Sequence, residues 1–107
     1  MKDEILAYIS KYQNVTFAEL SKNIGGFDGG SYCLPAPDSL GDTILWSDMS
    51  EEGSRAIQDL MNEKRIEAAP CGPLPYMTDG VMLKLPLATR ARKYKKLHWL
   101  PVTFKTV

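Results

Sequence analysis

The sequence predicts an α+β domain in which three helices are followed by extended segments. Residues 1–65 contain three stretches with apolar side chains at helical spacing, whereas the residues after position 65 combine prolines and glycines with alternating apolar positions. The chain has 107 residues, of which 44% are hydrophobic and 24% charged, as is ordinary for a globular protein with one core. We therefore expect a single domain over residues 1–107.

The first two helices are predicted from caps and apolar spacing. Asp3 is the expected cap of the first helix, which ends near residue 13. The second helix begins with a possible capping box of Thr16 and Glu19 and is expected to stop at a left-handed Gly25. Residues 25–42 show no apolar periodicity and are predicted to be loop, and residues 43–46 could form a short strand.

The third helix is predicted to start at Asp48 or Ser50 and to bury one stripe of side chains, namely Ala56, Ile57, Leu60 and Met61. Residues 66–69 are then predicted to be a strand. Residues 76–85 are predicted to form further strand structure around the turn signal Asp79-Gly80, which gives a β-hairpin. Five residues are expected to meet in one apolar interior: Ile9, Leu20, Ile57, Leu60 and Val81.

The glycine-rich stretch GGFDGGSYCLP at residues 25–35 does not match a phosphate-binding loop. A Walker loop ends in Gly-Lys-Ser/Thr, and a dinucleotide fingerprint has the spacing G-x-G-x-x-G, neither of which occurs here. The stretch also carries an acid, Asp28, and no lysine. We expect its glycines to serve a change of chain direction.

Charge is distributed unevenly, although the net charge is zero. No Lys or Arg occurs between Asn23 and Ser54, and that segment is acidic. No acid follows Asp79, so the C-terminal end carries a local positive field. One end of the chain is therefore expected to repel phosphate and the other to attract it.

The order of predicted elements resembles a winged-helix (winged helix-turn-helix) domain. ILAYISKYQNVTFAELSKNI is similar to the first helix, short strand and second helix of such domains, and SEEGSRAIQDLMNEKRIEAAP is similar to the third helix and first wing strand. The resemblance implies a C-terminal hairpin wing and an extended basic tail. Residues 25–48 would then be an atypical insertion loop between the second and third helices, and residues 88–107 a basic and aromatic extension.

The resemblance implies DNA binding, as in a small transcriptional regulator, because a helix-turn-helix seats a helix in the major groove. On the third helix, the side chains suited to base contact are Arg55, Gln58 and Asn62. A solvated helix face is the alternative for these three residues. The predicted phosphate contacts are Lys84, Arg90, Arg92, Lys93, Lys95 and Lys96.

The alternative function is a protein-interaction module on the same fold, with Phe27, Tyr32 and Trp99 as contact residues and a homodimer as one possibility. The aromatic part of the C-terminal extension could instead cover the core. We expect no catalysis, since a pair of Cys33 and His98 lacks a third orienting group. No cofactor, metal or membrane partner is expected, and the expected location is cytoplasmic.

Overall fold

The computed structural model describes residues 1–36, 43–88 and 95–107. Within these residues it is a small α+β domain, which confirms the predicted class. Its helices are α1 (Lys2–Tyr12), α2 (Phe17–Asn23), α3 (Glu51–Asn62) and α4 (Leu74–Asp79). Its strands are β1 (Val15–Thr16), β2 (Asp28–Pro35), β3 (Thr43–Met49), β4 (Ile66–Pro70), β5 (His98–Trp99) and β6 (Val102–Thr106).

The strands form two three-stranded sheets. In the first, the strand order is β1-β6-β4 and both pairings are antiparallel. In the second, the order is β2-β3-β5, with β2 antiparallel and β5 parallel to β3. The last strand of the chain, β6, therefore lies in the middle of the first sheet.

Two predicted helix boundaries are wrong. Helix α1 begins two residues earlier than expected, with Met1 as its cap, so Asp3 lies in the first turn, where its negative charge is favoured by the helix dipole. Helix α2 is capped as predicted, because the Thr16 hydroxyl accepts a hydrogen bond from the Glu19 N–H at 3.1 Å. Its end is different, since the extended Ile24 is the cap and it is Gly26 that has a positive φ, 79°.

Helix α3 begins at Ser50, the second of its two predicted caps, whereas Asp48 lies in β3. The Ser50 hydroxyl accepts a hydrogen bond from the Gly53 N–H at 2.9 Å. At the other end, the N–H groups of Lys64 and Arg65 donate to the carbonyls of Met61 and Leu60, which is the Schellman arrangement. Lys64 occupies its left-handed position with a φ of 57°, where glycine is usual.

The predicted insertion loop (residues 25–48) is wrong over residues 28–35, which form strand β2 and pair with β3. The short strand predicted at residues 43–46 is confirmed as part of β3, which continues to residue 49, and residues 37–42 lie outside the described residues. Both Asp28 and Tyr32 lie opposite Met49, so the residues between them bulge out of the pairing. A Cβ on Gly30 would lie 2.3 Å from the Met49 carbonyl oxygen, so only glycine fits there. The glycine-rich stretch thus forms a turn at Gly26 and a bulge in strand β2 between Asp28 and Tyr32.

The predicted hairpin over residues 76–85 is also wrong, whereas the strand predicted at residues 66–69 is confirmed as part of β4. Strand β4 pairs with β6, and residues 74–79 form helix α4. Pro75 lies in the first turn, where a missing N–H removes no intrahelical bond. Gly80, at φ 75°, ends the helix in the left-handed conformation instead of forming a strand turn.

Residues 98–106 are part of the core and do not form an extended tail. Trp99 and Phe104 are wholly buried, and Leu100 and Val102 are nearly so. The alternative in which this aromatic segment covers the core is therefore confirmed for these residues. Leu97 remains 41% exposed.

The interior proposed from sequence is largely confirmed. Ile9, Leu20, Ile57 and Leu60 are buried in one cluster, and Val81 is only partly buried against it. Aromatic rings fill the centre of this cluster. Phe17 stacks on Trp46 with 5.6 Å between ring centroids, and Tyr76 meets Trp99 edge to face at 4.9 Å.

Tyr76 fastens α4 to the first sheet. Strands β1 and β6 pair Val15 with Phe104 and Thr16 with Thr103, so the next pair in register would be Phe17 with Val102. The Tyr76 hydroxyl lies between these two residues, accepting from the Phe17 N–H at 3.1 Å and donating to the Val102 carbonyl at 2.7 Å. It therefore supplies the missing rung where the chain leaves β1 for α2.

A side chain extends the same pairing at the other end of β1. Gln13 has a φ of 52° and a ψ of 158°, outside the helical range. Its amide accepts from the Thr106 N–H at 3.1 Å and donates to the Thr106 hydroxyl at 2.8 Å. The end of β6 is thus held by a side-chain clamp.

Candidate nucleic-acid interface

The three predicted base-contact residues share one exposed face of α3. Arg55, Gln58 and Asn62 follow one another at spacings of three and four residues, and all three are exposed. Arg55 pairs with the Glu51 carboxylate at 3.0 Å, and the Gln58 amide donates to the Ser54 hydroxyl at 3.0 Å. The face predicted from sequence therefore exists, with two of its side chains engaged in contacts within the helix.

Strand β2 runs beside this face. A cleft of about 150 Å³ lies between α3 and β2 and is lined by Tyr32, Arg55 and Gln58 together with Glu51 and Ser54. Close approach is possible because residue 53 is glycine. A Cβ there would lie 2.6 Å from the Phe27 carbonyl oxygen. Any ligand of the α3 face must also accommodate β2.

The solvent side of α3 and its C-terminal cap is acidic. Arg55 is its single cation. Its four carboxylates are Glu51, Glu52, Asp59 and Glu63. Lys2 of α1 pairs with Glu63, and this hydrogen bond lowers the pKa of the Glu63 carboxyl, which stays ionised at neutral pH. A negative helix face opposes entry into the major groove, because the groove is flanked by phosphates.

The predicted phosphate contacts lie in the connection between β4 and β6, which we call the basic connection (residues 71–101). Its residues 80–97 contain six Lys or Arg and no Asp or Glu. Lys84, Lys95 and Lys96 are exposed, and no carboxylate of the described residues lies within 4.0 Å of them. Arg90, Arg92 and Lys93 lie outside the described residues.

Backbone hydrogen bonds hold two parts of the basic connection together and join its C-terminal end to β3. The Trp99 N–H donates to the Pro86 carbonyl at 2.9 Å, and the Ala88 N–H donates to the Trp99 carbonyl at 2.8 Å. The Leu100 N–H donates to the Ile44 carbonyl of β3 at 3.0 Å. Lys84, Lys95 and Lys96 are therefore attached close to anchored backbone.

Two of the three predicted protein-contact residues have no exposed surface in this structure. Phe27 and Trp99 are wholly buried, because their rings pack in the aromatic core, and the Trp99 indole N–H donates to the Leu45 carbonyl at 3.0 Å. Tyr32 is 47% exposed and remains available. Sequence reasoning missed a group of exposed apolar side chains in the basic connection, where no periodic pattern distinguishes them from core residues: Leu74, Met77, Met82, Leu87 and Leu97.

Among the residues that the structure describes, no group of three or more His, Cys, Asp or Glu could hold a metal ion. Burial raises the pKa of the Cys71 thiol, which is the opposite of the shift that activates a nucleophile. In the same part of the chain, no helix is long and apolar enough to cross a membrane.

Comparison with protein-family models, curated proteins and solved structures gives no significant match.

Proposed function

We propose that this chain is a winged-helix-like, non-enzymatic DNA-binding domain that contacts DNA chiefly through its basic connection. The support from the fold is the order α1, β1, α2, α3, β4 and β6 along the chain, with β2 and β3 inserted between α2 and α3, and α4 and β5 between β4 and β6. The strand order β1-β6-β4 is also the arrangement expected when a wing joins the last two strands of such a sheet. In this proposal the basic connection is the wing.

The observation that carries the proposal is the separation of charge between two surfaces. Residues 80–97 contain only positive charges, and three of the lysines are exposed without a carboxylate partner among the described residues. The other surface, on α3 and its C-terminal cap, carries four carboxylates and one arginine of its own; Lys2, Arg65 and the N-terminal ammonium offset part of its negative charge through Glu63 and Glu52. Phosphates are attracted to the first surface and repelled by the second.

This division of charge sets the expected mode of binding. Contacts from lysines to phosphates give affinity and orientation without reading sequence. Binding is therefore expected to be dominated by salt-sensitive, weakly sequence-dependent contacts. Base contact by Arg55, Gln58 and Asn62 stays a prediction. It requires that strand β2, which lies beside this face of α3, does not block the helix from entering the major groove.

The test is a fluorescence-anisotropy titration of a duplex at several salt concentrations between about 50 and 200 mM. Each phosphate neutralised contributes about −0.9 to the slope of log K against log salt. Replacing Lys84, Lys95 and Lys96 together by Gln is expected to weaken binding and to make that slope shallower by about 3. The lysines are exposed, so the fold should persist, and circular dichroism checks that it does.

A matched control removes the same amount of charge elsewhere. Lys11, Lys22 and Lys105 are replaced by Gln, and the slope is expected to change much less, because Lys105 already pairs with Glu67 at 3.2 Å and Lys22 bonds to the Asp79 carbonyl. Absence of duplex binding at the lowest salt would refute the proposal. Equal losses in both triple variants would show that only net charge matters, which would also refute it.

A double variant separates the two surfaces. Arg55→Ala with Gln58→Ala is expected to leave affinity for unrelated duplex sequences unchanged within about twofold, since the acidic face lies away from the phosphates in this mode. A loss confined to one duplex sequence would instead assign base reading to α3.

The second candidate function is protein interaction through the cleft between α3 and β2. It is favoured by the exposed Tyr32, whose ring borders a cleft with both carboxylate and amide groups, and by the acidity of the helix. A partner with a basic surface, or a second copy of the chain, would fit. A partner or dimer that is lost in Tyr32→Ser and kept in the Lys84, Lys95 and Lys96 variant would support this function; sedimentation showing a monomer and no such partner would remove it.

A further inference from the structure

The domain contains an apolar cavity that neither proposed function uses. Its volume is about 390 Å³, and it lies between β3, the face of β4 and β6, and the C-terminal end of α3. Most of its lining is hydrocarbon, with contributions from Leu45, Met61, Ile66, Ala68, Leu100 and Val102. This volume and this composition fall in the range of small-molecule sites, towards the lower end.

Two charged residues lie at the open side of the cavity, and only one of them has a partner. Lys64 and Glu67 both line the cavity and are both exposed. The Glu67 carboxylate is paired with the Lys105 ammonium at 3.2 Å. Among the residues that the structure describes, no carboxylate lies within 4.0 Å of the Lys64 ammonium. Lys64 is therefore a positive charge on the cavity lining that no carboxylate of the described residues contacts directly.

The backbone at Lys64 is unusual for a lysine. Its φ of 57° lies in the left-handed region, at the position after α3 where glycine is the usual residue. A lysine here is strained relative to glycine. The chain therefore has a lysine at a position where glycine would be less strained, and the side chain of that lysine lines the cavity. This is consistent with a role for its charge.

We propose that this cavity binds a small amphiphilic carboxylate, with its apolar body among the side chains of β3, β4 and β6 and its carboxylate on Lys64. At about 30 Å³ for each water-sized group, a cavity of about 390 Å³ has room for roughly 13 such groups, enough for a ten-carbon chain. The apolar lining provides the affinity for the body, and Lys64 provides the preference for an anion. This site does not depend on the DNA-binding proposal, since its residues lie outside the basic lysines of residues 80–97.

The test compares three probes of equal chain length, decanoate, decanol and decylamine, by isothermal titration below their micelle concentrations. Decanoate is expected to bind at one site about tenfold more tightly than decanol, and decylamine is expected to bind more weakly than both. In Lys64→Gln, decanoate and decanol should bind with similar affinity. Two-dimensional NMR should place the shifts on Leu45, Ala68 and Val102.

Two further variants separate binding from folding. Lys64→Gly relieves the left-handed strain, so it should raise the melting temperature while removing the preference for decanoate. Ala68→Phe adds a ring to the lining of the cavity and should abolish binding of all three probes. A lost preference in the more stable Lys64→Gly variant cannot result from unfolding.

Three outcomes would overturn the proposal. The first is the absence of saturable binding of decanoate, and the second is equal affinity of wild type and Lys64→Gln for decanoate. The third is a dimer, seen by sedimentation, that buries Ala68 and is unaffected by decanoate, because a second copy would then occupy the cavity.

Discussion

Replacing Tyr76 by Phe removes one oxygen atom from the core and leaves the aromatic packing in place. The ring of Tyr76 is wholly buried and lies 4.9 Å from Trp99 and 5.5 Å from Trp46, between ring centroids. Phe keeps these contacts. What disappears is the rung between the Phe17 N–H and the Val102 carbonyl.

The loss follows from the two backbone groups that are left behind. Each buried donor or acceptor without a partner costs about 1–3 kcal/mol, while removing the hydroxyl recovers part of its own desolvation cost. We expect Tyr76→Phe to lower the free energy of unfolding by about 2–4 kcal/mol. Burial also raises the pKa of Tyr76 far above its usual value, so the phenol stays a neutral donor over the whole working range of pH.

The assay is urea unfolding followed by tryptophan fluorescence, since Trp46 and Trp99 both contact the altered site. With a slope of about 2 kcal/mol per molar urea, the midpoint should fall by about 1–2 M. Tyr12→Phe, at a residue 54% exposed, is the matched control and should change stability by less than about 0.5 kcal/mol. A midpoint for Tyr76→Phe equal to that of the control would refute the bridging role of the hydroxyl.

Two further predictions concern the bulge at Gly30 and the side-chain clamp formed by Gln13. Gly30→Ala should destabilise the domain by about 2 kcal/mol or more in the same urea assay, because the added Cβ would lie 2.3 Å from the Met49 carbonyl oxygen. Gly25→Ala is the control and should be nearly neutral, since no atom lies within 4 Å of its Cβ. Equal losses of stability in the two variants would contradict the bulge geometry. Gln13→Ala should cost about 1 kcal/mol and speed hydrogen exchange at the Thr106 amide, since the clamp supplies the acceptor for that N–H; unchanged exchange would show that the clamp is not formed in solution.

The helices that sequence predicts well are those with both a cap and a stripe. Helix α3 has Ser50 to accept a hydrogen bond from its first turn, and buried Ile57 and Leu60 on one face. Both signals are local, so they can be recognised without knowledge of the fold. The predicted strand at residues 66–69 is likewise local and agrees with β4.

The elements that sequence misses depend on distant contacts. Strand β2 is rich in glycine and mostly exposed, so it lacks the alternation typical of a half-buried strand. Helix α4 has six residues and starts between prolines, and its position depends on Tyr76 reaching Phe17, 59 residues away along the chain. No local sequence pattern predicts the pairing of β2 with β3 or the hydrogen bond between Tyr76 and Phe17.

The candidate interface divides in the same way. The basic character of residues 80–97 and the acidity of α3 can be counted in the sequence. The burial of Phe27 cannot, because an aromatic side chain between glycine and aspartate is compatible with a contact surface as well as with a core. For Trp99 the sequence left both alternatives open, and the structure selects the core. The partner choices of β4 and β6 also lie beyond local patterns.

The central position of β6 has a consequence for synthesis in the cell. Strands β1 and β4 do not pair with each other in the first sheet. Among the described strands, each pairs only with β6, which is translated some 30 residues after β4. A nascent chain that has not yet exposed Thr106 therefore holds two unpaired strand edges and an open aromatic core. We expect ribosome-bound fragments that stop before residue 102 to be protease-sensitive, and folding to be completed only after the final strand has left the exit tunnel.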